Sequence, residues 1–151
     1  MKNYNLIIDT YFNSKHKKAG LQTGFVHQMF DGNKIHQIVK DFDKWEERIE
    51  KVNNGKAVLH LKFWDSTPHA KNSKLNEFLV VTNKNDISIQ EMAFFKEKGK
   101  LVPAVHTGFG NFKNIDIKVM AQNEGMSIDD FNNSYENTES YGIIHFTEFH
   151  Y

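Results

Sequence analysis

The most suggestive run of chemistry-capable side chains is Gly32-Asn33-Lys34-Ile35-His36-Gln37-Ile38. Glycine accepts the positive φ of a tight turn, and a lysine two residues later sets a cation beside backbone N–H groups that a turn leaves free, an arrangement suited to an anion. The competing reading of the same residues is a helix that ends at Gly32, followed by a solvated Lys34.

Eight histidines raise the question of a metal: His16, His27, His36, His60, His69, His106, His145 and His150. They form no HExxH motif and no helical i, i+4 pair beside a carboxylate, so they read as surface or core residues and no metal is expected. His60 and His145 fall on expected strands, where the register decides whether each faces a cavity or solvent. No GxSxG elbow, P-loop or GxGxxG fingerprint is present, Gly108-Phe109-Gly110 being only a loop fragment, and no cofactor is expected. The absence of cysteine removes disulfides, a thiolate nucleophile and sulfur-ligated zinc. Trp64, just before Asp65-Ser66-Thr67-Pro68, offers a face for stacking on a base, with Lys62 and Lys34 as phosphate partners; an aromatic residue at a strand end also serves as core or rim packing.

The elements that must position these groups are short. A first strand is expected at Leu6-Ile7-Ile8, then a polar loop from Asn13 to Gly20. A helix capped by Thr23 runs through Phe25, Val26, Met29 and Phe30 to the Asp31-Gly32 stop. Asp43 opens a helix whose Trp45, Ile49 and Val52 share one face, ending at Asn53-Asn54-Gly55. Ala57 to Trp64 alternates cleanly, with Ala57, Leu59, Leu61 and Phe63 on one face. The apolar run Phe78-Leu79-Val80-Val81 suggests a strand buried on both faces, and Ile87, Ile89 and Met92 to Phe95 suggest another. Thr107 to Asn111 reads as loop, Ile115-Asp116-Ile117 as a short strand and Val119 to Gln122 as a turn of helix. Ser127 caps a helix through Phe131, and a last strand covers Gly142 to Phe149.

Composition sets the frame. The chain has 151 residues, enough for one packed domain spanning 1–151, and its thirteen Phe supply large apolar area. Nineteen basic and nineteen acidic side chains cancel, which excludes coating of nucleic acid by bulk charge while leaving room for a local basic pocket. No window approaches the ~20 apolar residues of a membrane span and no leader-like h-region opens the chain, so a cytoplasmic location with no membrane partner is expected. Short strands interrupted by short helices predict a mainly β, α+β domain, for which a small closed barrel would remove exposed edges.

Four segments, in order, resemble the ASCH domain of the PUA-like superfamily: Phe25 to Ile38 around Gly32-x-Lys34, Gly55 to Leu59, Ala121 to Phe131, and Ile143-Ile144-His145-Phe146. His16, Gly20, Thr23 and Phe25 precede a Gly-x-Lys-x-His-Thr-Ile-Arg-like motif, as in small ASCH-like proteins of bacteriophages and their hosts. The resemblance implies a PUA-like β-barrel with flanking helices and a cleft that binds RNA or a nucleotide; some members are hydrolases that remove an acyl group from modified cytidine. Those hydrolases use a Lys, a Thr and a Glu. Here the Lys is Lys34, Glu77 matches the carboxylate, the Thr position is Gln37, and the motif's Arg is Val39, for which Lys40 substitutes only as a point charge. Gln37 has no proton to lose at neutral pH, which favours binding over catalysis.

The leading expectation is therefore a noncatalytic module whose cleft, lined by Lys34, His36, Gln37, Trp64 and Glu77, binds a nucleotide or single-stranded RNA, with Lys34 on phosphate. An amidohydrolase acting on an acylated nucleoside through Lys34 and Glu77 is the first alternative. The second is a phage-encoded structural or inhibitory protein, working in the host cytoplasm through a protein partner.

Overall fold

A computed structural model describes residues 1–68, 70–137 and 140–151. In chain order its elements are β1 (Lys2–Ile7), α1 (Phe25–Asp31), β2 (His36–Lys40), α2 (Phe42–Asn53), β3 (Ala57–Trp64), β4 (Leu75–Val81), β5 (Ser88–Glu97), β6 (Lys100–Gly108), β7 (Asn111–Asn114), α3 (Ile117–Glu124), α4 (Ile128–Ser134) and β8 (Tyr141–His145). The fold is mixed α+β and mainly β, as expected. The closed barrel is not found: the strands form two sheets, β1-β3-β4 and β2-β8-β5-β6-β7, each with open edges among the described residues. β1 runs parallel to β3, and every other pairing is antiparallel.

The five-stranded sheet carries core on both faces. On β8, Ile144 packs with α2 and the three-stranded sheet, while Ile143 and Tyr141 point the opposite way into the cluster built with α3 and α4. All five β8 residues are buried, which is why this strand reads as a continuous apolar run. Gly142 on β8 permits the close approach of α2: a Cβ there would lie 2.9 Å from Ile89 and 3.2 Å from Phe42.

Helix α2 buries Phe42, Trp45, Ile49 and Val52, four side chains at roughly 2 kcal/mol each. Its cap lies two residues before the expected Asp43: Asp41 is the N-cap, and its carboxylate accepts from the Lys44 N–H. β3 has the expected bounds, and Leu59 and Leu61 are fully buried. The expectation that the Phe78 to Val81 run is buried on both faces is overturned: β4 is an edge strand with Leu79 and Val80 exposed and only Val81 buried. Ile115-Asp116-Ile117 is not a strand either, since the Asp116 side chain accepts from the Lys118 N–H and starts α3. No strand was expected at β6, which contains Pro103; β7 pairs with it only from Ala104 onward, so the missing Pro103 N–H leaves no rung of that ladder unmade. The last strand ends at His145, four residues earlier than the alternation suggested.

Candidate functional site

Gly32 does end α1, with φ 78°, and the turn it makes brings Lys34 inward. The reading of Lys34 as a solvated side chain is wrong, and so is its assignment to phosphate: the side chain has no exposed surface. Its ammonium passes 4.6 Å from the centre of the Phe25 ring and donates to the Glu124 carbonyl (2.8 Å) and to Glu124 Oε1 (2.9 Å).

Glu124 is the hub of a buried network. Oε1 also accepts from His36 Nδ1 (3.0 Å), and Oε2 accepts from the Ile38 backbone N–H (2.8 Å) and from the Tyr135 hydroxyl (2.8 Å). Burial alone would raise the Glu124 pKa, but the Lys34 ammonium, the His36 ring and the Ile38 amide outweigh it and hold it at about 2. Burial conversely lowers the Lys34 pKa, opposed by Glu124. At neutral pH the carboxylate is ionised, and four donors satisfy it. On the far side of His36, Nε2 lies 2.7 Å from the Tyr151 hydroxyl, which accepts from Asn123 Nδ2 (2.9 Å). The His36 ring thus bridges the Glu124 carboxylate and the Tyr151 hydroxyl, one ring nitrogen meeting each.

Glu124 can reach this place because of Gly125. That residue caps α3 with φ 84°, and a Cβ on it would lie 2.9 Å from Gln28 Oε1 and 3.2 Å from the Lys34 Cβ. Glu124 belongs to no recognisable catalytic or binding motif in the sequence. One signal was available, since an acid on the last turn of a helix opposes the macrodipole and implies a compensating cation.

Above this network lies an open cleft of about 500 Å³. Gln37, Phe25, Tyr135 and Tyr141 line it, and Tyr135 links it to Glu124 below. Gln37 Nε2 donates to the Ile38 carbonyl (2.9 Å), while its Oε1 is a buried acceptor without a hydrogen-bond partner among the described residues. Asp9 also lines the cleft; water reaches it, yet the protein around the concavity desolvates its carboxyl and raises its pKa, against the opposing pull of Lys34. Tyr11, Phe12 and Trp45 add aromatic surface, and Lys40, Lys44 and Arg48 are the cations of the wall. His16 is buried here by its stacking on Phe12 (4.2 Å between centroids), with Nδ1 accepting from the Lys18 N–H (2.9 Å).

The five residues expected to share one cleft are therefore dispersed. Gln37 lines the large cleft, while Lys34 and His36 lie beneath it in the core. Trp64 lines a separate hollow of about 270 Å³, and Phe25 and Tyr11 border both spaces. Glu77 stands on the outer face of the three-stranded sheet, half exposed, where it binds His60 Nδ1; His60 Nε2 meets Asn3 Oδ1 at 2.9 Å. The carboxylate paired with Lys34 is thus Glu124, not Glu77. His145 is buried and bonds Gln90 Oε1 (2.8 Å), with burial first among the causes that lower its pKa to about 3. His69 lies outside the described residues.

Among the described residues, no group of three His, Cys, Asp or Glu could hold a metal ion, and no helix is long and apolar enough to cross a membrane. No family model, curated protein or solved structure matches this chain, so the resemblance to the ASCH domain rests on its short motifs.

Proposed function

We propose that this chain is an ASCH-like, PUA-like module that binds a nucleotide or single-stranded RNA in the cleft between its sheets without catalysing a reaction. The observation that carries this reading is the composition of the cleft. A formally neutral chain gathers three cations there against one carboxylate among the described residues, beside the half-buried aromatic residues Tyr11 and Phe12. Stacking faces next to cations suit a base and its phosphate, whatever the sequence of the strand.

The noncatalytic part is supported by how Lys34 is used. Its ammonium and the Glu124 carboxylate satisfy one another out of reach of solvent, leaving neither free to activate a water. Gln37 offers no nucleophile, and Glu77 is occupied by His60 on another face. A second reading, docking of a protein partner, is favoured by one patch: Phe30, 70% exposed, lies edge-on against Phe78 (5.8 Å), and β4 also exposes Leu79 and Val80 at an open sheet edge.

The test is anisotropy of labelled single-stranded RNA and DNA with wild type and Tyr11→Ala over a salt series. Binding should weaken in Tyr11→Ala by the worth of one stacked base, about 1–3 kcal/mol. Engagement of all three cations should give a log K against log salt slope near −2, about 0.7 per phosphate neutralised. Absence of binding to every strand and every mononucleotide would sink the proposal and leave the patch around Phe30 as the surface to pursue.

A further inference from the structure

The sequence contains a single arginine, Arg48. It sits on α2 in the wall of the cleft, and its guanidinium carbon lies 4.8 Å from the Trp45 ring centre and 5.0 Å from that of Tyr4. Two aromatic rings thus hold one planar cation, and it makes no ion pair with a carboxylate among the described residues. This differs from the other long cation of the same helix, Lys51, which bonds Glu47 one turn away at 2.5 Å.

The surroundings are cationic. Lys44 stands one turn before Arg48, so the two share a helix face, and the Lys44 ammonium lies 5.9 Å from the same Trp45 ring. Lys40, at the end of β2, is exposed and lines the same cleft, again without a carboxylate partner among the described residues. The carboxyl group that borders the space is Asp9. A guanidinium fork lodged against two aromatic rings has less freedom to lose on binding and matches two oxygens of one anion, whereas Lys44 and Lys40 contribute only point charge.

We infer that Arg48, with Lys44 and Lys40, is a phosphate subsite of the cleft, and that the ligand carries a phosphate monoester or diester at the α2 wall with its apolar part toward Tyr11 and Phe12. The motif position that the ASCH resemblance assigns to arginine is Val39 here; the cleft nevertheless receives a guanidinium from α2. The inference rests on the reading of this cleft as a nucleotide site, and it adds which group of the ligand is gripped and by what.

Because the chain has one arginine, its Nε–H resonance reports the subsite without ambiguity. Wild type, Arg48→Lys, Arg48→Gln and Lys40→Ser are titrated with inorganic phosphate, with the four ribonucleosides, with their 5′-monophosphates and with a short oligoribonucleotide. At least one 5′-monophosphate or the oligonucleotide should move the Arg48 Nε–H signal and bind about tenfold or more tighter than the matching nucleoside, the worth of a charge-assisted hydrogen-bond pair. Arg48→Lys should remove most of that advantage although the charge is kept, and Arg48→Gln should remove it all. Lys40→Ser alters only an exposed side chain, so a smaller loss of the same preference in a normally folded variant supports the subsite independently. Nucleosides and their monophosphates binding equally in the cleft would overturn the phosphate subsite while sparing the nucleotide-site reading. Phosphate moving Arg48 with no discrimination by any base would keep the subsite and sink that reading, and silence from every probe would end both.

Discussion

Removing the Lys34 ammonium should unfold this protein more readily than it should abolish ligand binding. In Lys34→Met the aliphatic stem over Phe25 is kept, while Glu124 loses the cation that meets both its Oε1 and its backbone carbonyl. The carboxylate stays in a fully buried place with three donors, from His36, Ile38 and Tyr135. Breaking such a pair by removing one partner costs about 3–5 kcal/mol, a large share of the ~5–15 kcal/mol that stabilises a domain. For a chain of this length each kcal/mol moves Tm by about 2–4 °C, so the melting point should fall by roughly 6–20 °C. Glu124→Gln should cost a similar amount by stranding the ammonium. The double variant Lys34→Met/Glu124→Gln buries no net charge, and its loss should be smaller than the sum of the two single losses by about 2–4 kcal/mol. Urea unfolding of the four proteins at pH 7, followed by circular dichroism, measures the cycle. Single losses under about 1 kcal/mol, or losses that simply add, would refute the buried-pair reasoning and return Lys34 to the cleft as a ligand for phosphate.

Two further outcomes follow from the same network. Glu124 has its pKa depressed from 4.5 to about 2 in the folded state, so its contribution is complete above pH 4.5 and is lost as the pH falls toward 2. That contribution is on the order of 3 kcal/mol, and Glu124→Gln should flatten this part of the stability profile measured by urea titration at successive pH values. Gly125→Ala puts a Cβ into Gln28 and the Lys34 stem at a φ of 84°, and should lower stability by about 1–3 kcal/mol; a loss within 0.5 kcal/mol in thermal melts would mean that the turn relaxes freely.

Much of the secondary structure was legible because it follows from local period and end signals. The alternation of Ala57 to Trp64 is the face pattern of β3, the i, i+4, i+7 spacing of Trp45, Ile49 and Val52 is the buried stripe of α2, and Ser127 caps α4 through the Asp130 N–H. The two apolar runs show the limit. Phe78 to Val81 and Gly142 to Ile144 look alike as sequences, yet one is an open edge and the other lies between two partners with core on both sides. A continuous run states only that no polar face is required; which strands flank it depends on pairings distant in sequence.

The sequence by itself determined the mainly β, α+β class, the turn at Gly32 and the importance of Lys34 and Gln37 as residues to watch. Only the tertiary structure decided their roles. Lys34 meets a carboxylate ninety residues away because the α3 terminus, freed by Gly125, docks beside the start of β2. Arg48 reaches the cleft because the buried stripe of α2 fixes the helix's rotation over the sheet. Charge partners of that kind are set by distances in space, and no local pattern encodes a distance between segments that touch only after the chain has folded.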